Sequence, residues 1–209
     1  LSSALRASAR PLNPVLCRFV MPTYHSVFRM PKPVKITGRT SSITNSFINA
    51  IIPVVIPTEE EVRNALEVLG MDVETIQCAY CGDTCSEWDH LRPLVQNKKP
   101  TGYISEIHNL VPSCGKCNQS KGNKPWRSWI KSGAALSPKS REVPDLEDRI
   151  ASLEAYEDWR EPTHFDFEEI VGSERWQQHW QNWENVIDTM KHAQILADEI
   201  NLKIKRAAV

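Results

Sequence analysis

No run in this sequence approaches about 18 consecutive apolar residues, so no membrane-spanning helix is expected. The apolar stretch from Phe47 to Pro57 is too short to cross a bilayer. Internal repeats and low-complexity tracts are also missing, which removes solenoids and compositionally biased chains from consideration. Acidic residues are absent from residues 1–57, which hold seven Lys/Arg. Within that span, residues 1–30 are rich in Arg, Ser and Pro and begin at Leu rather than Met. They are expected to be a disordered leader, or a segment upstream of a start at Met21 or Met30. An organellar targeting peptide is the alternative.

What is present is the composition of a folded chain, 41% hydrophobic and 24% charged. The net charge of −1 hides an uneven distribution. Residues 78–131 carry eight basic and four acidic side chains, whereas residues 132–209 carry nine basic and sixteen acidic ones. A phosphate-binding surface is therefore expected in the middle of the chain and not in its tail.

Residues 31–74 read as an extended segment followed by a helix. Ile51–Ile56 suits a short strand that Pro53 confines to an edge. Thr58 and Glu61 form a capping box, Val62, Leu66 and Leu69 supply an apolar stripe, and Gly70 suits the position after the helix. That helix is expected to pack on the central module, residues 75–131. Residues 132–144 are a linker by composition. Residues 145–209 read as helical, with Leu146, Ile150, Leu153 and Tyr156 on one face of a first helix. A long second helix starts at Ser173. Its stripe runs through Trp176, Trp180, Trp183, Ile187, Met190, Ala193, Ile200 and Ile204. Tryptophans in such a stripe are read as core, since an acidic tail repels a phosphate backbone.

Chemistry concentrates between the cysteines. Of six (Cys17, Cys78, Cys81, Cys85, Cys114, Cys117), four form two C-x2-C knuckles separated by 32 residues. Such turns bring paired sulfurs to one ion, and four thiolates make a closed tetrahedral zinc site. A site of this kind contributes on the order of 10–16 kcal/mol of apparent binding energy to folding. Cys85 is either a substitute ligand or, as preferred, a spare thiol. Trp88–Leu91 reads as a strand followed by Arg92-Pro93. Asn118 directly follows the last cysteine, Lys121 comes three residues later, and Gly122 and Asn123 end that helix. A histidine with an ordinary pKa near ~6.5 can accept a proton from water, which makes His90 a candidate general base. Neighbouring strand residues face opposite ways, so the strand must end or bulge where Asp89 and His90 meet a common site.

These elements resemble the HNH endonuclease family. The pattern comprises Cys78/Cys81, Asp89-His90 with Pro93, Asn109 within His108-Asn109-Leu110-Val111-Pro112, and Cys114/Cys117 followed by Asn118 and Lys121. The sequence departs from many members in lacking a Gly-Gly after the proline, where it reads Gln96-Asn97-Lys98-Lys99-Pro100-Thr101-Gly102. The resemblance implies an α+β fold: a small zinc-stapled ββα-metal core, treble-clef-like, with mainly helical N- and C-terminal extensions. It implies a DNA endonuclease in which Asp89 and Asn118 hold Mg2+ or Mn2+, His90 is the base, and Asn109 holds the loop and orients His90. The expected products carry 5′-phosphate and 3′-hydroxyl ends.

Lys121, Lys124 and Arg127 are expected to contact phosphates. Trp126 and Trp129 are expected to pack, and His25 and His108 to have no role. RNA is retained as an alternative substrate. Weak sequence specificity is expected, because no recognition helix is evident. Two other readings compete: a non-catalytic zinc module for nucleic acid or protein, and a toxin or defence effector using its helical tail as a partner or homodimer surface. A bacterial or phage cytoplasmic setting is the default expectation.

Overall fold

The computed structural model describes residues 28–208. The leader assigned to residues 1–30 therefore lies almost wholly outside the described residues, as do Cys17, Met21 and His25. The chain divides into two compact units, residues 1–34 and 35–209. The described part of the first, residues 28–34, carries no helix or strand. The second unit holds every element that follows.

Its centre is an antiparallel pair, β1 (Glu87–His90) and β4 (Leu110–Ser113), in which Glu87 faces Ser113 and His90 faces Leu110. A helix, α3 (Gly115–Lys121), follows β4 directly. The β1–β4–α3 unit is the ββα arrangement, and the α+β class is the one the motifs implied. Between β1 and β4 the chain forms a small hairpin, β2 (Val95–Gln96) and β3 (Lys99–Pro100). Asn97 and Lys98 turn it at φ 51° and 63°, the left-handed pair that a two-residue hairpin turn demands. Gly102 lies just beyond at φ +100°, where a Cβ would come within 2.7 Å of the Phe165 carbonyl oxygen.

Helices surround this unit. Ahead of it are α1 (Thr40–Asn49), entered through a 3-10 turn at Ile36–Arg39, and α2 (Glu59–Val68). After it come α4 (Trp126–Ile130), α5 (Leu146–Trp159), α6 (Phe167–Val171) and the long α7 (Ser173–Ala207). The capping box of α2 is present, with Thr58 Oγ1 accepting from the Glu61 amide and Glu61 accepting from the Thr58 amide. Gly70 follows at φ 70°, and the Met71 amide closes back on the Leu66 carbonyl.

Two expectations are corrected. Residues 31–57 are not extended: α1 and its 3-10 turn occupy residues 36–49, and Ile51–Ile56 contributes only a single bridge, Val54 to Ser105. Locally α1 is a poor helix, rich in Ser and Thr, with no acid in its first turn and no side-chain cap. Tertiary burial of Thr44 and Ile48 stabilises it instead. Residues 132–144 are more than a linker, because their 3-10 turn (Lys139–Arg141) reaches back to the cysteines.

Two cores result. The first joins α2, the four knuckle cysteines, Leu91, Val111, α4 and the α5 face of Ile150, Leu153 and Tyr156. Trp126 and Trp129 are buried in it, as packing residues. The second is smaller and joins Ile48 and Ile52 to Leu94, Val95, Ile104 and Trp180. Trp176 and Trp183 pack on it half-buried, and Trp183 Nε1 donates to Thr44 Oγ1 (3.1 Å). The tryptophan end of α7 thus packs within the chain, with Trp180 buried and Trp176 and Trp183 half-buried. The expected stripe is used over half its length only, since Ile200 and Ile204 are exposed, together with Ile195 and Leu196. Among the described residues no helix is long and apolar enough to cross a membrane.

Candidate active site

The first centre is made of sulfur. Cys78, Cys81, Cys114 and Cys117 are buried, and their Sγ atoms all lie within 4.8 Å of one another. The Cys81 and Cys114 sulfurs are 3.7 Å apart. That equals the sulfur–sulfur edge of about 3.8 Å set by tetrahedral Zn–S bonds of ~2.3 Å. The donor set and its spacing therefore fit one four-coordinate metal ion. Sharing one site, the thiols oppose each other's ionisation. Hydrogen bonds to Cys78 and Cys81 hold the Cys117 thiol far above its ordinary range, while hydrogen bonds from Cys117 and Cys78 draw Cys81 far below it. Arg141 donates to Cys117 Sγ (2.9 Å) and pairs with Asp83 (3.3 Å), which places a cation against the thiolate cluster. Cys85 stands outside the group, half-exposed, with its thiol directed at the Glu87 carbonyl.

The second centre is polar. Asp89, on β1, is buried, and its Oδ2 accepts from Tyr80 Oη (2.7 Å) and pairs with Lys121 Nζ (3.1 Å). Burial pushes the Asp89 carboxyl up against the opposing pull of Lys121, and burial likewise pushes the Lys121 ammonium down. Lys121 was expected on the phosphate-contacting face. It is instead fully buried, and also donates to the His90 carbonyl (2.6 Å). A helix residue seven positions after Cys114 turns inward here, because the carboxylate it neutralises lies beneath α3.

His90 ends β1, so strand alternation stops where the site begins. Its Nε2 lies 2.8 Å from Ser105 Oγ. No described group bonds Nδ1. Burial first, then the Lys121 charge, lowers the His90 pKa to about 4, so its ring is neutral at neutral pH. Asn109 is fully buried: its Oδ1 accepts from the Arg92 amide (2.8 Å) and its Nδ2 donates to the Arg92 carbonyl (3.1 Å). It therefore clamps the chain two residues beyond His90 and does not touch the ring. Asn118 Nδ2 donates to Glu87 Oε2 (2.8 Å), which orients the amide. Asp89, His90 and Asn118 line one cavity of about 260 Å³, with Ser105 and Asn123 beside them.

The remaining basic residues are placed differently. Lys124 is exposed and donates to the Ser120 carbonyl (2.7 Å). Arg127 is held by Glu154 and by Glu157 (2.7 Å) on α5. Its guanidinium is half-exposed and paired within the chain. His108 is buried against Trp159.

The HNH endonuclease family matches residues 78–124. These residues are an HNH endonuclease domain. The segment around it is similar to the CRISPR-associated endonuclease Cas9 of Corynebacterium diphtheriae, 42% identical over 62 residues, which is 28% of this chain and 5% of that protein. The chain thus spans a small fraction of the relative it matches. No solved structure matches it significantly.

Four residues that support the two centres escaped the sequence reading: Tyr80, Glu87, Ser105 and Arg141. Glu87 carried a usable signal, since it lies two residues before Asp89 and shares its strand face. Ser105 and Arg141 carried none, because their partners are 15 and 24 residues away in sequence.

Proposed function

We propose that this chain is an endonuclease that hydrolyses phosphodiester bonds of DNA. The observation that carries the reading is the convergence of Asp89, His90 and Asn118 on one cavity within the HNH domain. A zinc-binding module that only recruits nucleic acid or protein needs none of the three.

Asp89 and Asn118 would hold one hard divalent ion, Mg2+ or Mn2+. Their chemistry suits it: Tyr80 and Lys121 occupy one Asp89 oxygen and leave the other unbonded by any described group. The Glu87 bond to the Asn118 nitrogen leaves the amide oxygen for a cation. Bound there, such an ion supplies charge neutralisation at the phosphoryl group and the leaving oxygen. The four cysteines would hold zinc as a structural staple.

His90 is neutral at neutral pH and takes a proton from the attacking water at Nδ1, with Ser105 steadying Nε2. The water oxygen bonds to phosphorus as the P–O3′ bond breaks, and the departing 3′ oxygen takes a proton from solvent water to become a hydroxyl. The products carry 5′-phosphate and 3′-hydroxyl ends. Asn109 keeps the Arg92 backbone, and through it the end of β1, in register.

The test uses the full chain purified with zinc and incubated with supercoiled plasmid, with and without Mg2+ or Mn2+, beside His90→Ala. Nicking or linearisation is expected only with the divalent ion, and at least ~100-fold slower in the variant. A zinc-loaded, folded wild type that cuts neither plasmid, branched DNA nor RNA would leave the binding-module reading in its place.

A further inference from the structure

The HNH domain does not enclose its cavity alone. Asn45 and Asn49 of α1, which lies outside residues 78–124, line it together with Asp89, His90 and Asn118. A second recess of about 340 Å³ adjoins it, lined by Ser41 and Asn45 of α1 on one side and by Asn97, Lys98 and Asn123 on the other. The two recesses share Asn45, Val95 and Asn123, and are parts of one groove running from the HNH centre along α1 to the hairpin tip.

Ser41, Asn45 and Asn49 are spaced by four residues and form one stripe on α1. The stripe is fixed in place, because Thr44 and Ile48 of the same helix are buried and Thr44 is bonded by Trp183. The carboxamides of Asn45, Asn49, Asn97 and Asn123 make no hydrogen bond to another described residue, although Asn45 is half-buried. The second recess has no acidic lining residue, and Asp89 is the one acid lining the first. A groove of unengaged amides suits a polar ligand with alternating donors and acceptors. Carboxamides donate to phosphate oxygens and pair with base edges. From Ser41 to Asn49 the stripe is about 12 Å long, the reach of three to four nucleotides at ~3.4 Å each.

We propose that this groove binds the DNA strand flanking the scissile phosphate, with Asn45, Asn49 and Asn123 nearest the reacting centre and Asn97 and Lys98 further along. The α1 wall thereby sets which flanking nucleotides are accepted. This rests on the nuclease reading above.

The experiment measures binding and cleavage separately. A fluorescein-labelled 24-base-pair duplex is titrated with the zinc-loaded full chain in Ca2+ by anisotropy, and cleavage kinetics follow in Mg2+. Asn45→Ala/Asn49→Ala should weaken binding at least tenfold and raise KM more than it lowers kcat. Asn45→Asp/Asn49→Asp, which keeps side-chain size and adds charge, should weaken binding further. Ser46→Ala, on the solvent side of α1, should bind like the wild type. Melting temperatures within a few degrees of the wild type exclude a folding effect. Wild-type cleavage with unchanged binding in both groove variants overturns the groove and leaves the nuclease standing. No cleavage by the wild type, with binding that the variants lose, overturns the nuclease and supports the groove as a DNA site. A loss confined to a single-stranded RNA probe overturns the assignment to DNA.

Discussion

The two cores of this protein are held together in different ways. The first packs Tyr80 edge-on against Trp129, with ring centroids 5.2 Å apart, around four cysteines drawn from two knuckles. The second rests on Trp180, whose ring meets Trp176 and Trp183 edge-on at 5.5 and 6.1 Å and carries Lys99 Nζ 3.8 Å above it. The first core depends on sulfur gathered at one point, the second on aromatic packing between distant segments. The cavity lies at their seam. Asp89 and Asn118 are rooted in the first core, while Ile52, Leu94 and Val95 of the second form the opposite lining. The groups proposed to react thus belong to one core, and the wall proposed to meet the substrate belongs to the other.

Breaking the first core should have the largest effect. Cys117→Ser, or prolonged chelation, should remove a contribution on the order of 10–16 kcal/mol and unfold the knuckles. Near-ultraviolet circular dichroism from Tyr80 and Trp129 should collapse. An unchanged spectrum after proven metal removal would show that the sulfur cluster is not a structural staple. Next comes Lys121→Met, which leaves Asp89 buried without its cation and should cost about 3–5 kcal/mol in urea unfolding. The double variant Lys121→Met/Asp89→Asn should recover much of that loss. No recovery would mean that Lys121 acts through packing alone.

Trp180→Ala tests the other core. It should cost about 3 kcal/mol, at the low end for a buried tryptophan. It should also release the amides of α1 to hydrogen exchange while β1 and β4 stay protected. Equal loss of protection in both regions would show that the cores unfold as one unit. The smallest effect expected is pH-dependent. The His90 pKa is lowered to about 4 in the folded chain from an ordinary 6.5, so between these values the unfolded chain binds the extra proton. Stability is fully present above about 6.5 and falls as pH drops towards 4, by at most about 3 kcal/mol. His90→Gln should flatten that part of the profile, and a profile unaltered by the substitution would place the titration elsewhere.

Much of the first core was legible in the sequence, and little of the second. The knuckles, the capping box at Thr58 and the α5 face all lie in short windows, where spacing sets which side chains face the same way. The second core joins α1, the β2–β3 hairpin and α7, whose contacts span more than a hundred residues, as in the bond between Trp183 and Thr44. Helix α1 was missed because its Ser- and Thr-rich sequence has weak local propensity, and packing overrides that. Lys121 was misplaced for a related reason. A basic residue near a basic module reads as a phosphate contact until the buried Asp89 is seen to neutralise it.

By itself, then, the sequence determined the donor types and their order along the chain: two thiol pairs, the Asp89-His90 step and Asn118 after the second knuckle. These are local, and their chemistry depends on residue type and short spacing. Tertiary structure alone decided that Asp89 shares its oxygen with Lys121 and Tyr80, that Ser105 meets His90, and that Asn45 and Asn49 wall the cavity. Those pairings depend on which faces of distant elements meet, and burial of apolar surface across the whole fold sets that.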